Sequence, residues 1–252
     1  MLKRRIIPVE LLLGGRLVKT VRFDTYRDVG DPVKSSQVYS DQDADELILL
    51  NIARDLRSPA VSRVFLKSIA ESCYVPIAAG GGIGSVEDAA ALFEVGADKV
   101  VVNSAAYARP TLLSEIADRF GSQAVVASID AARSADNSFA LRSDCGRRAE
   151  MTSLEQHIVS VIEHGAGEVL INSVDRDGAM SGYDLELIRR TRAACTVPLI
   201  VCGGAGHYLH LKEALDLGAD AVACGSLFNF GDNNPLRAKS FLKNHQIPLK
   251  RI

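Results

Sequence analysis

Cysteine is scarce and unpatterned. The five residues, Cys73, Cys145, Cys195, Cys202 and Cys224, are odd in number and show no C-x-x-C spacing. A disulfide-stapled mini-protein is excluded, and the thiols read as buried or free groups in a reducing cytosol. No apolar stretch approaches the ~20 residues that a membrane-spanning helix needs. A secretory leader is not legible either: the run from residue 6 to 13 is interrupted by Pro8 and Glu10 and ends without a small-residue cleavage site. A cytoplasmic protein is therefore expected. A basic footprint is also missing. With 29 Lys and Arg against 31 Asp and Glu, the net charge is −2, and Lys3-Arg4-Arg5 runs straight into a strand-like segment. Neither nucleic acid nor a membrane is an expected partner. Low-complexity segments and domain linkers are lacking as well.

What is present is an internal repeat. At an offset of 122 residues, Val75-Pro76 falls on Val197-Pro198, Gly81-Gly82 on Gly203-Gly204, Gly84 on Gly206, and Gly96-Ala97-Asp98 on Gly218-Ala219-Asp220. Val100 and Ser104 match Val222 and Ser226, and the same offset pairs Ala44 and Glu46 with Ala166 and Glu168. The 252 residues thus read as one domain made of two related halves, about 1–122 and 123–252.

Within each half, short Val, Ile and Leu runs alternate with longer amphipathic segments, the pattern of parallel strands separated by helices. Strands are expected at 5–12, 46–52, 75–80, 98–103, 124–130, 168–173, 198–203 and 221–225. Helices are expected at 31–42, 59–73, 85–95, 110–120, 152–164, 184–194 and 208–217. Eight βα units predict an α/β protein folded as a single (βα)8 barrel of two duplicated half-barrels; a doubly wound sheet gives no reason for the duplication. The longest irregular stretches, 13–30 and 131–151, follow the C-terminal ends of the first and fifth strands, where barrels keep their chemistry.

In each half one strand ends in glycines (Gly80-Gly81-Gly82, Gly203-Gly204) and the next ends in a small polar residue (Asn103-Ser104, Gly225-Ser226). Glycines let backbone N–H groups approach an anion. The plain alternative is that such pairs only relieve crowding at strand-to-helix turns. Their occurrence at one offset points to two phosphate sites facing each other, and so to a long substrate phosphorylated at both ends.

These residues resemble the cyclase subunit of imidazole glycerol phosphate synthase, the HisF family. The matching stretches include Arg5-Ile6-Ile7, Gly30-Asp31-Pro32, Gly81-Gly82-Ile83, Asp175-Arg176-Asp177-Gly178, Ser181-Gly182-Tyr183-Asp184 and Gly203-Gly204, and span nearly the whole chain. The resemblance implies a bis-phosphorylated substrate, ammonia supplied by a separate HisH-type glutaminase in a heterodimer, and imidazole ring formation. No cofactor and no metal follow from it. It adds Asp177 and Gly178 to the substrate-binding residues, and it implies that Asp98 meets the glutaminase.

Ring closure moves protons between nitrogens, work suited to two carboxylates in different protonation states. Asp130 closes an apolar strand and is the candidate acid/base; an Asp that merely orders a loop is the alternative. The family's second catalytic Asp would fall at the end of the first strand, where this chain has Leu11. Leucine transfers no proton, and Glu10 should point to the opposite face because side chains alternate along a strand. Asn51 likewise stands where the family usually has an acid. The first strand, with Arg5-Ile6-Ile7-Pro8, Leu11-Leu12-Leu13, Gly15 and 17–21, is more similar to WbuZ- or AglZ-type HisF paralogues. That similarity implies ammonia supply to a sugar amidotransferase that makes acetamidino groups for surface polysaccharides. Lys19, on the long first loop, is expected to be a flexible cation over a bound anion, or else a solvated surface lysine.

Arg5, Glu46, Lys99 and Glu168 open strands where a sealed barrel would start apolar. Four buried charges must pair, so a ring under the core is expected, and the resemblance implies that it gates ammonia. His207-x-x-His210 has no partner of matching spacing for a metal. No cysteine lies in a nucleophile motif, so glutamine hydrolysis must belong to a partner. Three functions stay open: a histidine-pathway cyclase, an ammonia-channelling subunit of a sugar-amidinating system, and a scaffold that only activates a glutaminase.

Overall fold

The computed structural model describes residues 3–53 and 60–249. Twelve strands occur among these residues: β1 Arg5–Leu13, β2 Arg16–Val21, β3 Thr25–Gly30, β4 Leu47–Asn51, β5 Ile77–Gly80, β6 Lys99–Val102, β7 Val125–Arg133, β8 Phe139–Ser143, β9 Arg148–Ala149, β10 Glu168–Ser173, β11 Leu199–Cys202 and β12 Ala221–Cys224. The helices are α1 Pro32–Asp41, α2 Ala60–Ala70, α3 Val86–Phe93, α4 Ser104–Ala108, α5 Thr111–Phe120, α6 Leu154–Glu163, α7 Leu185–Ala194, α8 Tyr208–Asp216, α9 Ser226–Asn229 and α10 Pro235–Asn244. None of the described helices is long and apolar enough to cross a membrane.

Eight of the strands pair in parallel around a closed ring, β1–β4–β5–β6–β7–β10–β11–β12 and back to β1. These are the eight strands expected from the apolar runs. The duplication is visible in the element bounds. At the 122-residue offset β5 falls on β11, β6 on β12 and α1 on α6, residue for residue.

Alternation along the strands divides the core into two. Ile7, Val9 and Leu11 of β1 meet Ile48, Val101, Val126, Leu170 and Ile200 inside the barrel. Ile6, Leu47, Leu49, Val100 and Val102 face outward against the helices. Burying each such side chain is worth roughly 1.5–3 kcal/mol. Side-chain caps start the helices. Asp31 accepts from the Lys34 amide at 3.0 Å with Pro32 in the first turn, and Ser153 and Gln156 form a capping box.

Three features depart from the sequence expectation. The stretch 13–30 is an antiparallel hairpin laid on β1, turned at Gly14 and Gly15, both with positive φ. The stretch 131–151 is likewise ordered, as β8 and β9 laid on β7. The two hairpins therefore follow equivalent strands of the two halves. Helices α4, α9 and α10 also appear where none was expected. The expected helix at 59–73 begins at Pro59, which lies outside the described residues; its described part is α2.

Candidate active site

A cavity of about 740 Å³ opens at the C-terminal ends of the strands. Asp130, Lys19, Gly82, Asn103, Ser104, Asp177, Gly178, Gly203, Gly204, Gly225 and Ser226 all line it. Mouth residues from both half-barrels therefore reach one chamber, while Gly80 of the first glycine run does not line it.

Its chemistry centres on Asp130. In the parallel register Asp130 stands beside Asn172 of β10, and Asn103, just past β6, donates its Nδ2 to Asp130 Oδ2 at 2.8 Å. Burial pushes the carboxyl up to about 7, against the hydrogen bonds of Asn103 and Asn172, while the Asp177 charge adds to the rise. A carboxyl poised there can both accept and donate a proton near neutrality.

Lys19 differs from its expected place. It is not a surface loop residue: it lies within β2, lines the cavity and is 5% exposed. Burial lowers its pKa, opposed by Asp177, Cys202 and Glu10. Asp177 is in turn raised by burial, with Lys19 and Thr20 opposing. Thr20 Oγ1 donates to Asp177 Oδ2 at 2.6 Å and the Arg22 amide to the Asp177 carbonyl at 2.9 Å, so the first hairpin is stitched to the segment after β10. The second hairpin is tied similarly, the Asp144 amide donating to Ser104 Oγ at 3.0 Å.

The glycine pairs occupy equivalent left-handed conformations, with φ of 99° and 79° at Gly81 and Gly82 and 86° and 116° at Gly203 and Gly204. Space is also decisive at Gly204, where a Cβ would lie 2.2 Å from the Gly182 carbonyl oxygen.

Leu11 lies on the inner face of β1, which continues to Leu13, and both leucines line the cavity, so no carboxylate stands there. Glu10 points away from the mouth, as alternation requires. It is fully buried behind β1, where Ser36 Oγ donates to it. Burial raises it to about 8, with Ser36 and Lys19 opposing and Asp31 adding. Asn51, paired with Leu12 in the parallel register, is buried and lines the same cavity.

At the opposite end Arg5, Glu46, Lys99 and Glu168 form the expected ring. Arg5 reaches Glu46 at 2.6 Å and Glu168 at 3.1 Å, and Lys99 reaches the same two at 2.9 and 3.1 Å. Burial works against the Arg5 charge, but Glu168 and Glu46 outweigh it and hold its pKa above the ordinary value. Asp98 is exposed at this end and accepts from the Ile77 amide at 2.8 Å, as Asp220 does from Leu199 at 3.0 Å. Both aspartates thus tie a neighbouring strand. His207 and His210 serve α8 instead: their Nδ1 atoms accept from the Leu209 and Gly206 amides, each at 3.2 Å.

Sequence reasoning missed the hairpin residues Thr20, Phe23, Asp144 and Arg147 and the strand-end Asn172, all of which line the cavity. The apolar and β-branched residues of 17–21 show no alternation, since four successive residues of β2 are buried; the alternating burial of β8 was the stronger signal, in a stretch read as irregular.

A parallel eightfold barrel whose ionisable and glycine residues gather at the C-terminal ends of the strands has the layout of the (βα)8 barrel enzymes. The profile of the family described as "Histidine biosynthesis protein" matches residues 5–234. The chain belongs to that family, in its HisF branch. It is 45% identical to the imidazole glycerol phosphate synthase subunit HisF of Leifsonia xyli over 90% of this chain and 91% of the relative. The subunits of the same name from Streptomyces coelicolor and Thermotoga sp. strain RQ2 are 41% and 40% identical. They align over 98% and 99% of this chain and 98% of each relative.

Proposed function

We propose that this chain is the synthase subunit of a glutamine-dependent system of the imidazole glycerol phosphate synthase type. It receives ammonia from a HisH-type glutaminase in a heterodimer and uses it on a bis-phosphorylated substrate in the barrel mouth. The observation that carries this reading is the shared inner face of the strands. Arg5, Ile7, Val9 and Leu11 run along β1 from the charged ring to the cavity, and Lys99, Val101 and Asn103 do the same along β6. Arg5, Glu46, Lys99 and Glu168 would gate ammonia at the floor, and Asp98 would meet the partner. Gly82, Asn103 and Ser104 would hold one phosphate, and Gly203, Gly204, Gly225 and Ser226, with Lys19, Asp177 and Gly178, the other. Asp130 would take a proton from the attacking nitrogen and return it to the leaving one. The relatives' names favour the histidine-pathway cyclase over the acetamidino-sugar role.

Leu11 and Asn51 support a second reading, in which ammonia passes on to a sugar amidotransferase and no ring is closed. One positioned acid/base contributes ~10²–10⁴-fold. Under the cyclase reading, turnover of the ribosyl aminoimidazole carboxamide bis-phosphate with free ammonia should fall short of a HisF with both acids by about that factor, and Leu11→Asp should recover part of it. A chain that fails to bind the bis-phosphate, before and after that substitution, excludes the cyclase reading and leaves the second reading and the glutaminase-activating scaffold.

A further inference from the structure

Three buried polar atoms behind the mouth have no hydrogen-bond partner among the described residues: Asn103 Oδ1, Tyr107 Oη and His157 Nε2. Their shared neighbour is Asp130. Asn103, which precedes α4 and makes no side-chain capping bond there, donates to the Asp130 carboxyl, and the charge of that carboxyl reaches Tyr107 of the same short helix. The Tyr107 ring stacks on His157 of α6 with centroids 3.8 Å apart and planes 8° from parallel. His157 is 4% exposed, and burial drops its imidazole to about 4, so it is neutral at ordinary pH. Burying a polar atom without a partner is unfavourable, and clusters of this kind are where proteins keep internal water.

We propose that Tyr107 and His157 are positioning residues for Asp130. Together with Asn103 Oδ1 they hold one internal water, which locks the Asn103 amide so that its Nδ2 stays aimed at the Asp130 carboxyl. The hydrogen bonds balance: Tyr107 Oη donates to the water, and the water donates to Asn103 Oδ1 and to the neutral His157 Nε2. Released from that water, the amide is free to rotate, and the 2.8 Å bond to Asp130 is lost for part of the time. The charges around this chain of contacts are few. Asp177 faces Asp130 from beyond β10, with Lys19 opposite it. Glu150 approaches Tyr107 and His157 from the second hairpin, where Arg148 and Ser143 donate to it.

The inference rests on the reading of Asp130 as acid/base for its functional meaning, but its test needs no substrate. The full chain, labelled with ¹³C at the Asp carboxyls, is titrated by NMR as wild type, Tyr107→Phe, His157→Phe and the double variant. Loss of a donor to a carboxylate raises its pKa. Each single variant should therefore move the Asp130 midpoint upward by about one unit, and the double variant no further, because both act through the same water. A high-resolution crystal structure should place that water within hydrogen-bond distance of all three atoms. An unmoved midpoint in both single variants, additive shifts in the double, or a crystal without the water overturns the proposal. If the midpoint moves as expected while Asp130→Asn keeps full turnover, the acid/base reading falls and the positioning role stands.

Discussion

Lys19 and Gly225 are in contact: a Cβ built on Gly225 would lie 1.7 Å from Lys19 Nζ. The glycine at the end of β12 is therefore what lets the buried ammonium reach its place beside Asp177. The φ of Gly225 is −109°, so alanine brings no backbone strain and the substitution acts through space alone. Gly225→Ala should fold normally, displace the Lys19 ammonium and weaken phosphate-ester binding by about tenfold, the factor that 1.4 kcal/mol represents. Calorimetric titration with a bis-phosphorylated ligand measures this, and unchanged affinity would show that Lys19 makes no anion contact.

Asp130 sets the pH dependence. Acting first as a base, it must be ionised, so glutamine-driven kcat/KM should rise about tenfold per pH unit below its pKa near 7 and level off above it. Glutamine is required as the donor because free ammonia titrates on its own account at higher pH. Asp130→Asn should lose ~10²–10⁴-fold. A flat profile from pH 5.5 to 8.5 would exclude this carboxyl from the proton transfer.

The barrel was legible because its signals are local and repeated. Parallel strands buried on both faces read as apolar runs, and the duplication supplied each expectation twice. The charged floor was legible for the opposite reason, since Arg5, Glu46, Lys99 and Glu168 break those runs where only pairing could tolerate them. The hairpins were not, because β3 and β9 carry mostly exposed side chains and bury no apolar face that would write a pattern. Lys19 illustrates the cost of missing them. Read as part of a loop it was a mobile cation, whereas as a residue of β2, a strand laid on β1, it is buried and lines the cavity together with Thr20. The Tyr107–His157 stack joins residues 50 positions apart on two helices, and no spacing rule links them.

Glu10 supplies a test of stability. Its folded pKa near 8 stands above the unfolded value of 4.5, so the unfolded chain gives up this proton first as pH rises. Stability is then lost progressively between about pH 4.5 and 8. Glu10→Gln keeps the shape and removes the buried charge. It should raise stability by on the order of 4 kcal/mol at pH 8 and by almost nothing at pH 4, as read from denaturant midpoints at the two pH values. Equal effects at both would mean that the carboxyl is not held protonated by its burial.

The floor ring tests the route of ammonia. Glu46 and Glu168 each hold both Arg5 and Lys99, so the four side chains close the axial end of the barrel as one network rather than as separate pairs. Removing one member leaves an opposite charge under-compensated, and the ring should loosen without the barrel opening, because the inner layer of Ile7, Ile48, Val126 and Ile200 above it is intact. Lys99→Leu should cost about 1–3 kcal/mol of stability. With the glutaminase bound, it should leave glutamate release largely unchanged while lowering the share of glutamine nitrogen that reaches product, the remainder appearing as free ammonium. Glu168→Gln, which keeps the size and removes one charge, should act in the same direction more weakly. Glutamate, ammonium and aminated product measured in parallel decide the matter: strict one-to-one coupling of glutamate to product in both variants would mean that ammonia does not pass through this ring.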